Sequence, residues 1–140
     1  MMLDVQGLQA AYGASQVLFD ISLQVGEGEC VSLMGRNGMG KTTTIRTVMG
    51  LLEAKAGGIA FLGQPITGLA PEAIARRGIG LVPEGRQIFS TLTVRENLVA
   101  TSADRRNSAN PWTLQRVFDL FPRLHERQQQ WARTLSCGEQ

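Results

Sequence analysis

The sequence predicts an α/β core that runs into a helical segment, and three observations carry this. Two short, nearly all-apolar runs, residues 30–34 and 79–82, have the composition of strands covered on both faces. The first is followed at once by a glycine-rich loop and a helical stretch over residues 41–49. The last fifty residues carry helical rather than alternating periodicity.

The elements follow in order. Residues 3–8 read as a short strand and residues 10–13 as a loop. Val17, Phe19, Ile21, Leu23 and Val25 alternate with mostly polar residues, the period of a half-buried strand. Residues 26–29 form a turn, residues 30–34 the first buried-type strand with Cys30 in the core, and Gly50 stops the helix that begins at Lys41. Gly57 and Gly58 open a strand over residues 59–62. Pro71 starts a short helix that Gly78 ends. Residues 79–82 are the second buried-type strand, broken by Pro83. Thr93 and Glu96 have capping-box spacing ahead of Leu98. Residues 101–110 are polar and read as a linker that includes Asp104, Arg105 and Arg106. Leu114, Val117, Phe118 and Phe121 share one helix face.

A chain of 140 residues with 43% hydrophobic residues suits one domain with a small core. That apolar fraction excludes a disordered chain, and no run approaches the ~20 apolar residues of a membrane span. No secretory leader pattern opens the sequence. Two cysteines make no disulfide framework and fit a reducing compartment. A net charge of +2 makes no case for nucleic acid.

The chemistry is concentrated at residues 35–42, G-R-N-G-M-G-K-T, which fit G-x-x-x-x-G-K-[ST]. From this chain's own composition, roughly 3 in 1,000 shuffled chains match by accident. The glycines let successive backbone N–H groups face one anion, and the helix start adds its partial positive charge. Lys41 is one of only two lysines beside twelve arginines. A compact ammonium reaches terminal phosphates where a planar guanidinium does so poorly. The Thr42 hydroxyl suits Mg²⁺. Phosphate binding alone leaves kinases, GTPases, motors and transporter ATPases open. No guanine-reading N-K-x-D is present, which speaks against a GTPase.

The order of Tyr12, the glycine loop, V-P-E-G-R at residues 82–86, Phe89, L-T-V-R-E-N-L at 92–98 and L-S-C-G-E-Q at 135–140 resembles ABC transporter ATPase subunits over essentially the whole chain. The P-E-G-R and T-V-x-E-N-L runs and L-F-P-R-L-H-E-R at 120–127 look most like the ATP-binding subunits of branched-chain amino-acid importers, with urea and amide importers as close relatives. The resemblance implies a P-loop NTPase core of RecA type with an N-terminal antiparallel β subdomain and the start of an α-helical subdomain. It divides the chain at residues 1–93 and 94–140. It implies ATP and Mg²⁺ as cofactors, with Gly35, Asn37, Gly38, Gly40, Lys41, Thr42 and Thr43 around the phosphates.

Tyr12, alone a strand-end tyrosine that covers core, matches the aromatic that stacks on adenine. Glu84, alone a solvated residue after Pro83, matches a position near Mg²⁺ that couples nucleotide state to the membrane subunits. Most of the superfamily carries glutamine there, and the amino-acid importer group carries Glu. Ser136 and Glu139 alone have capping-box spacing. By resemblance, Ser136 and Gly138 belong to the signature motif that acts on nucleotide held by a second ATPase subunit in a sandwich dimer. Cys137 stands where glycine is usual. Two permease subunits and a substrate-binding protein complete the implied assembly, on the cytoplasmic face of the inner membrane. A nucleotide-binding module without turnover, or a P-loop ATPase outside transport, are the rival readings.

No residue is expected to supply catalytic acid chemistry. Asp4, Asp20, Asp104 and Asp119 all lie outside a buried strand that follows the signature. The chain is therefore expected to be the N-terminal part of a longer subunit. His125 and the pairs Arg76–Arg77 and Arg105–Arg106 are expected to be solvated surface.

Overall fold

Strand β1 (Leu3–Tyr12) lies at the centre of a four-stranded antiparallel sheet in a computed structural model that describes residues 1–85, 87–102 and 109–140. The described residues form two units, residues 1–80 and 81–140, and each is described by itself. In the first unit β1 pairs with β2 (Ser15–Val25) on one side and β3 (Ala54–Phe61) on the other, and β4 (Gln64–Pro65) extends β3. Val5 faces Leu23 across one ladder and Ile59 across the other. The buried positions of β1 run Val5, Leu8, Ala10, so the alternation slips between Val5 and Leu8. Gly7 sits at that bulge, and its N–H donates to the Ser22 hydroxyl at 2.9 Å instead of to the ladder. Opposite it, a Cβ on Gly57 would stand 2.5 Å from the Gly7 carbonyl oxygen. Glycine is required there because the two backbones approach this closely.

Two expectations about strand extent are corrected. Residues 10–12 are strand rather than loop, because Ala10, Ala11 and Tyr12 pair with Leu18, Gln16 and Ser15. The connection shrinks to Gly13 and Ala14, with Gly13 at φ +59°. Likewise β3 begins at Ala54, upstream of the two glycines, because Ala54 and Ala56 pair with Ala10 and Gln9.

Helices α1 (Lys41–Val48) and α2 (Pro71–Arg76) contribute Val48 and Ile74 to one core with Met49, Ile66 and the sheet residues Val5, Leu8, Leu18, Ile59 and Phe61. The run of threonines in α1 is buried at Thr43, Thr44 and Thr47. Thr44 Oγ1 donates to the Gly40 carbonyl at 2.9 Å and Thr47 Oγ1 to the Thr43 carbonyl at 2.8 Å. Back-bonding within the helix satisfies hydroxyls that burial would otherwise penalise. α1 ends with Gly50 N–H on the Thr47 carbonyl and Leu51 N–H on the Arg46 carbonyl, the paired bonds of a glycine-terminated helix.

The two buried-type strands expected of a parallel sheet are not formed. Residues 30–34 run without regular structure and are exposed, Cys30 included, and Met34 is 87% exposed. Residues 79–82 also lack strand structure; Ile79 packs against the core, while Val82 is 95% exposed. An apolar run becomes a buried strand only when neighbours complete its ladder and cover both faces. Among the described residues the named ladders all belong to the antiparallel sheet.

The second unit holds α3 (Val94–Thr101), α4 (Leu114–Leu120), α5 (Pro122–Glu126) and a 3₁₀ turn (Ala132–Thr134). Val94, Phe118, Ala132 and Leu135 are its buried apolar residues. Phe118 is covered as the periodicity predicts, whereas Phe121 is 53% exposed. Pro122 is the reason: the residue before a proline leaves the helical region, so α4 stops at Leu120 and Phe121 turns off its face. His125 is exposed, yet its ring stacks on Phe118 at 4.9 Å between centroids. Asp104 and the pair Arg105–Arg106 lie outside the described residues, as does Arg86. Arg77 does more than face water: it donates to the Pro65 carbonyl at 2.7 Å.

Candidate functional site: a phosphate loop and a serine turn

The glycine loop joins residue 34 to α1. Gly38 and Gly40 hold φ of +84° and +83°, which favours glycine at both positions. A Cβ on Gly40 would lie 2.6 Å from Leu18 Cδ2, so β2 presses directly on the loop where α1 begins. Gly40 is also the N-cap of α1 and carries no side chain to satisfy the first-turn N–H groups. A helix start capped this way leaves its donors to an anion. Lys41 is folded back over the loop: its Nζ donates to the carbonyls of Gly35 at 2.6 Å and Arg36 at 2.9 Å. The ammonium thus closes residues 35–41 into a ring at the mouth of the helix. Met39 N–H on the Arg36 carbonyl at 3.3 Å tightens the turn that includes Asn37. Thr42 is exposed in the first helical turn, whereas Thr43 is buried and can offer only its backbone.

Tyr12 stands 45% exposed at the end of β1, on the hairpin whose second strand supplies Val17 and Leu18 to Gly40. Glu84 belongs to the second unit and is an exposed residue of the turn before Gly85. A hydroxyl and a carboxylate are both hard oxygen donors of the kind Mg²⁺ takes. Thr42 and Glu84 therefore fit a magnesium ion chemically, each in its own unit. Among the described residues no cluster of three His, Cys, Asp or Glu side chains is arranged for a resident metal.

The second candidate element is the turn at residues 136–139. Glu139 Oε2 accepts from the Ser136 hydroxyl at 2.7 Å and from its N–H at 2.9 Å. The Glu139 N–H returns to the Ser136 carbonyl at 3.0 Å. The expected capping box is thus half made, because the serine hydroxyl donates to the carboxylate rather than accepting from the backbone. The Ser136 hydroxyl, then its N–H, and then the charges of Arg127 and Arg123 hold the Glu139 carboxyl below its ordinary value. Gly138 is exposed, and a Cβ there would meet nothing within 4 Å.

Sequence reasoning missed two residues. Asn97 clamps the segment before α3: its Oδ1 accepts from Phe89 N–H, and its Nδ2 donates to the carbonyls of Phe89 and Thr93. Its position four residues after a helix cap was the available signal. Arg127 places Nε 3.4 Å from Glu139 Oε1. No local pattern links these two, because the fold alone brings them together.

Similarity to known proteins defines the family. Residues 18–140 match the ABC transporter family. A high-affinity branched-chain amino acid transport ATP-binding protein of Pseudomonas aeruginosa is 42% identical over 99% of this chain. A lipopolysaccharide export system ATP-binding protein of Escherichia coli is 37% identical over 98% of it. A solved ATP-binding subunit of an ABC transporter superposes with a TM-score of 0.80 at 30% identity over 99% of the chain. This chain spans 60%, 58% and 57% of those three proteins. It belongs to the ABC transporter family, and its fold is that of the family's ATP-binding cassettes.

Proposed function

We propose that the protein is the ATP-binding subunit of an ABC importer and couples ATP binding and hydrolysis to uptake of branched-chain amino acids. The observation that carries the nucleotide half is the closed loop at residues 35–41, with Lys41 poised at a helix start that has no side-chain cap. On arrival of ATP, the first-turn N–H groups and the Lys41 ammonium take the phosphate oxygens. Gly35, Asn37, Gly38, Gly40 and Thr43 shape that cradle through the backbone, and Tyr12 offers a flat ring to adenine. Thr42 and Glu84 are each a hard oxygen donor of the kind that would serve Mg²⁺, which would supply neutralising charge when bound. Residues 1–93 make up the nucleotide-binding part, and residues 94–140 open the helical part. Ser136 and Gly138 act on nucleotide held by a second ATPase subunit. Two membrane permeases and a substrate-binding protein complete the assembly, with this subunit peripheral on the cytoplasmic side of the inner membrane.

The solute half rests on the amino-acid transport relative and on Glu84 standing where most of the superfamily carries glutamine. Urea or amide uptake is the nearest alternative. The similarity to a lipopolysaccharide export subunit supports a second reading, an ATPase that serves an exporter. A nucleotide-binding piece without turnover is the reading from outside the enzymes.

Lys41→Ala in the full-length protein removes most ATP affinity by calorimetry and leaves the fold intact by circular dichroism. Unchanged ATP binding in a folded variant overturns the nucleotide reading. Uptake assays of the assembled transporter with radiolabelled leucine and urea then separate the solutes.

A further inference from the structure

The Ser136 turn holds an anion of its own. Glu139 Oε2 takes both donors that Ser136 can offer, the hydroxyl at 2.7 Å and the N–H at 2.9 Å. Its other oxygen faces Arg127 Nε at 3.4 Å. An ionised carboxylate only accepts hydrogen bonds, which fixes the direction of the serine proton. That proton points at Glu139, so Ser136 Oγ presents only lone pairs to anything outside the turn. A phosphate is likewise an acceptor, and on this geometry it finds no donor on Ser136.

We propose that Glu139 is a resident anion that masks Ser136, anchored by Arg127, and that it sets how tightly a phosphate from outside is gripped there. The inference rests on the reading of residues 135–140 as the turn that acts on a partner's nucleotide. For Ser136 to bind a phosphate, its hydroxyl must rotate off Glu139 and the carboxylate must withdraw toward Arg127. Arg127 and Arg123 are the charged groups that act on this carboxylate, and Arg123 also pairs with Glu126 at 3.0 Å. Glu139 is therefore a positioning residue, since it acts through the serine rather than on the phosphate.

The amide variant separates masking from mere support of the turn. In Glu139→Gln an amide oxygen at the Oε2 position still accepts from the Ser136 N–H and hydroxyl, but without a full charge. A neutral acceptor holds the hydroxyl less tightly than a carboxylate, so the proton turns outward more readily. The turn is kept, the charge is gone and the donor is easier to release.

The experiment measures association of full-length ATPase subunits by sedimentation, in ATP with Mg²⁺ omitted to block turnover. Glu139→Gln tightens the apparent Kd by about tenfold, the scale of one charge-assisted hydrogen bond made available. The same substitution has no effect in a Ser136→Ala background. Ser136→Ala alone weakens association. Glu139→Ala, which unmasks the serine without a replacement partner, also tightens association in any preparation whose melting temperature is unchanged. If Ser136→Ala weakens association while Glu139→Gln leaves it unchanged or weaker, the mask is overturned and the reading of the turn stands. If Ser136→Ala changes nothing, the reading of the turn itself falls. A Glu139→Gln gain that persists in the Ser136→Ala background also overturns the mask.

Discussion

Leu62 is a non-glycine residue with positive φ, at +49°, and it stands beside Gly63 at +75° in the two-residue loop between β3 and β4. Both central residues of this hairpin are left-handed, the form that Asn-Gly sequences favour. A leucine there is strained and 46% exposed, so it gains little burial in return. Leu62→Asn is expected to stabilise the protein by about 1 kcal/mol, read as a higher denaturation midpoint at unchanged m-value. A lower midpoint contradicts the strain. Gly138 gives the opposite kind of expectation. A side chain there meets open space within this chain. Any intolerance of it must come from what docks against the turn. In the assembled transporter, Gly138→Asp cripples turnover and Cys137→Gly leaves it similar or higher, while neither shifts the melting temperature of the isolated subunit. Equal, small effects on turnover from both contradict this. At this scale the glycine loop and the helix start at Lys41 were legible, because the pattern is written in eight consecutive residues. The strained turn was not, because leucine carries no turn signal.

Helix α3 shows how an element is specified locally. Its first three N–H groups all find acceptors: Val94 on the Gln130 carbonyl, Arg95 on the Gln128 carbonyl and Glu96 on Thr93 Oγ1. The Glu96 carboxylate closes the box on Thr93 N–H at 2.7 Å. Thr93→Ala is expected to cost about 1 kcal/mol in thermal unfolding. Asn97→Ala releases the Phe89–Thr93 segment and costs about 1 kcal/mol more, the scale of exposed and part-buried hydrogen bonds. The box also carries a pH dependence. Bonds from the Thr93 N–H and then its hydroxyl hold the Glu96 carboxyl below its ordinary value of 4.5. The stabilisation is therefore complete above that value and is lost as pH falls through the lowered folded value. An NMR titration places the Glu96 midpoint below 4.5, and a midpoint at or above it would refute the assignment. The box was readable because Thr93 and Glu96 are three residues apart. The ends of β1 and β3 were not, because Ala10 and Ala54 become strand only through each other. Residues 30–34 failed for the same reason in reverse: their composition is that of a strand, and no ladder is made to them.

At the scale of the whole molecule, the apolar side chains of residues 30–34 and 81–82 face outward, Val31, Leu33, Met34, Leu81 and Val82 among them. Unpaired apolar stretches of this kind invite association between chains. Domain stabilities are only ~5–15 kcal/mol, so such exposure weighs heavily on a small core. The 140 residues expressed alone are expected to melt broadly or aggregate. They are also expected to release no phosphate above a Lys41→Ala control. Asp4 is engaged with Gln6 and Gln24, Asp119 with Gln115, and Asp20 is an exposed residue of β2. None of these is placed on the loop to direct water. A sharp two-state melt with Lys41-dependent phosphate release would reverse both expectations. Fold class was legible at this scale because a glycine loop runs straight into a helix and the other motifs follow in the family's order, although the strand read at residues 30–34 is not formed. The state of the parallel strands was not, since it depends on neighbours that no local pattern specifies.

The antiparallel sheet draws on residues 3–65 alone, so all of its strands are made before the second unit. Synthesis proceeds at about 5–20 residues per second, so this sheet can close on the order of several seconds before residue 140 is added. Two of its three pairings, β1–β2 and β3–β4, join strands across a two-residue turn, which keeps their loop-closure costs low, while β1–β3 closes over β2, the glycine loop and α1. The emerging chain would then carry a finished platform, against which Gly40 and α1 settle through Leu18, while residues 30–34 stay exposed as an apolar ribbon. During synthesis that ribbon is the stretch of the first unit most exposed to premature association with other apolar surfaces.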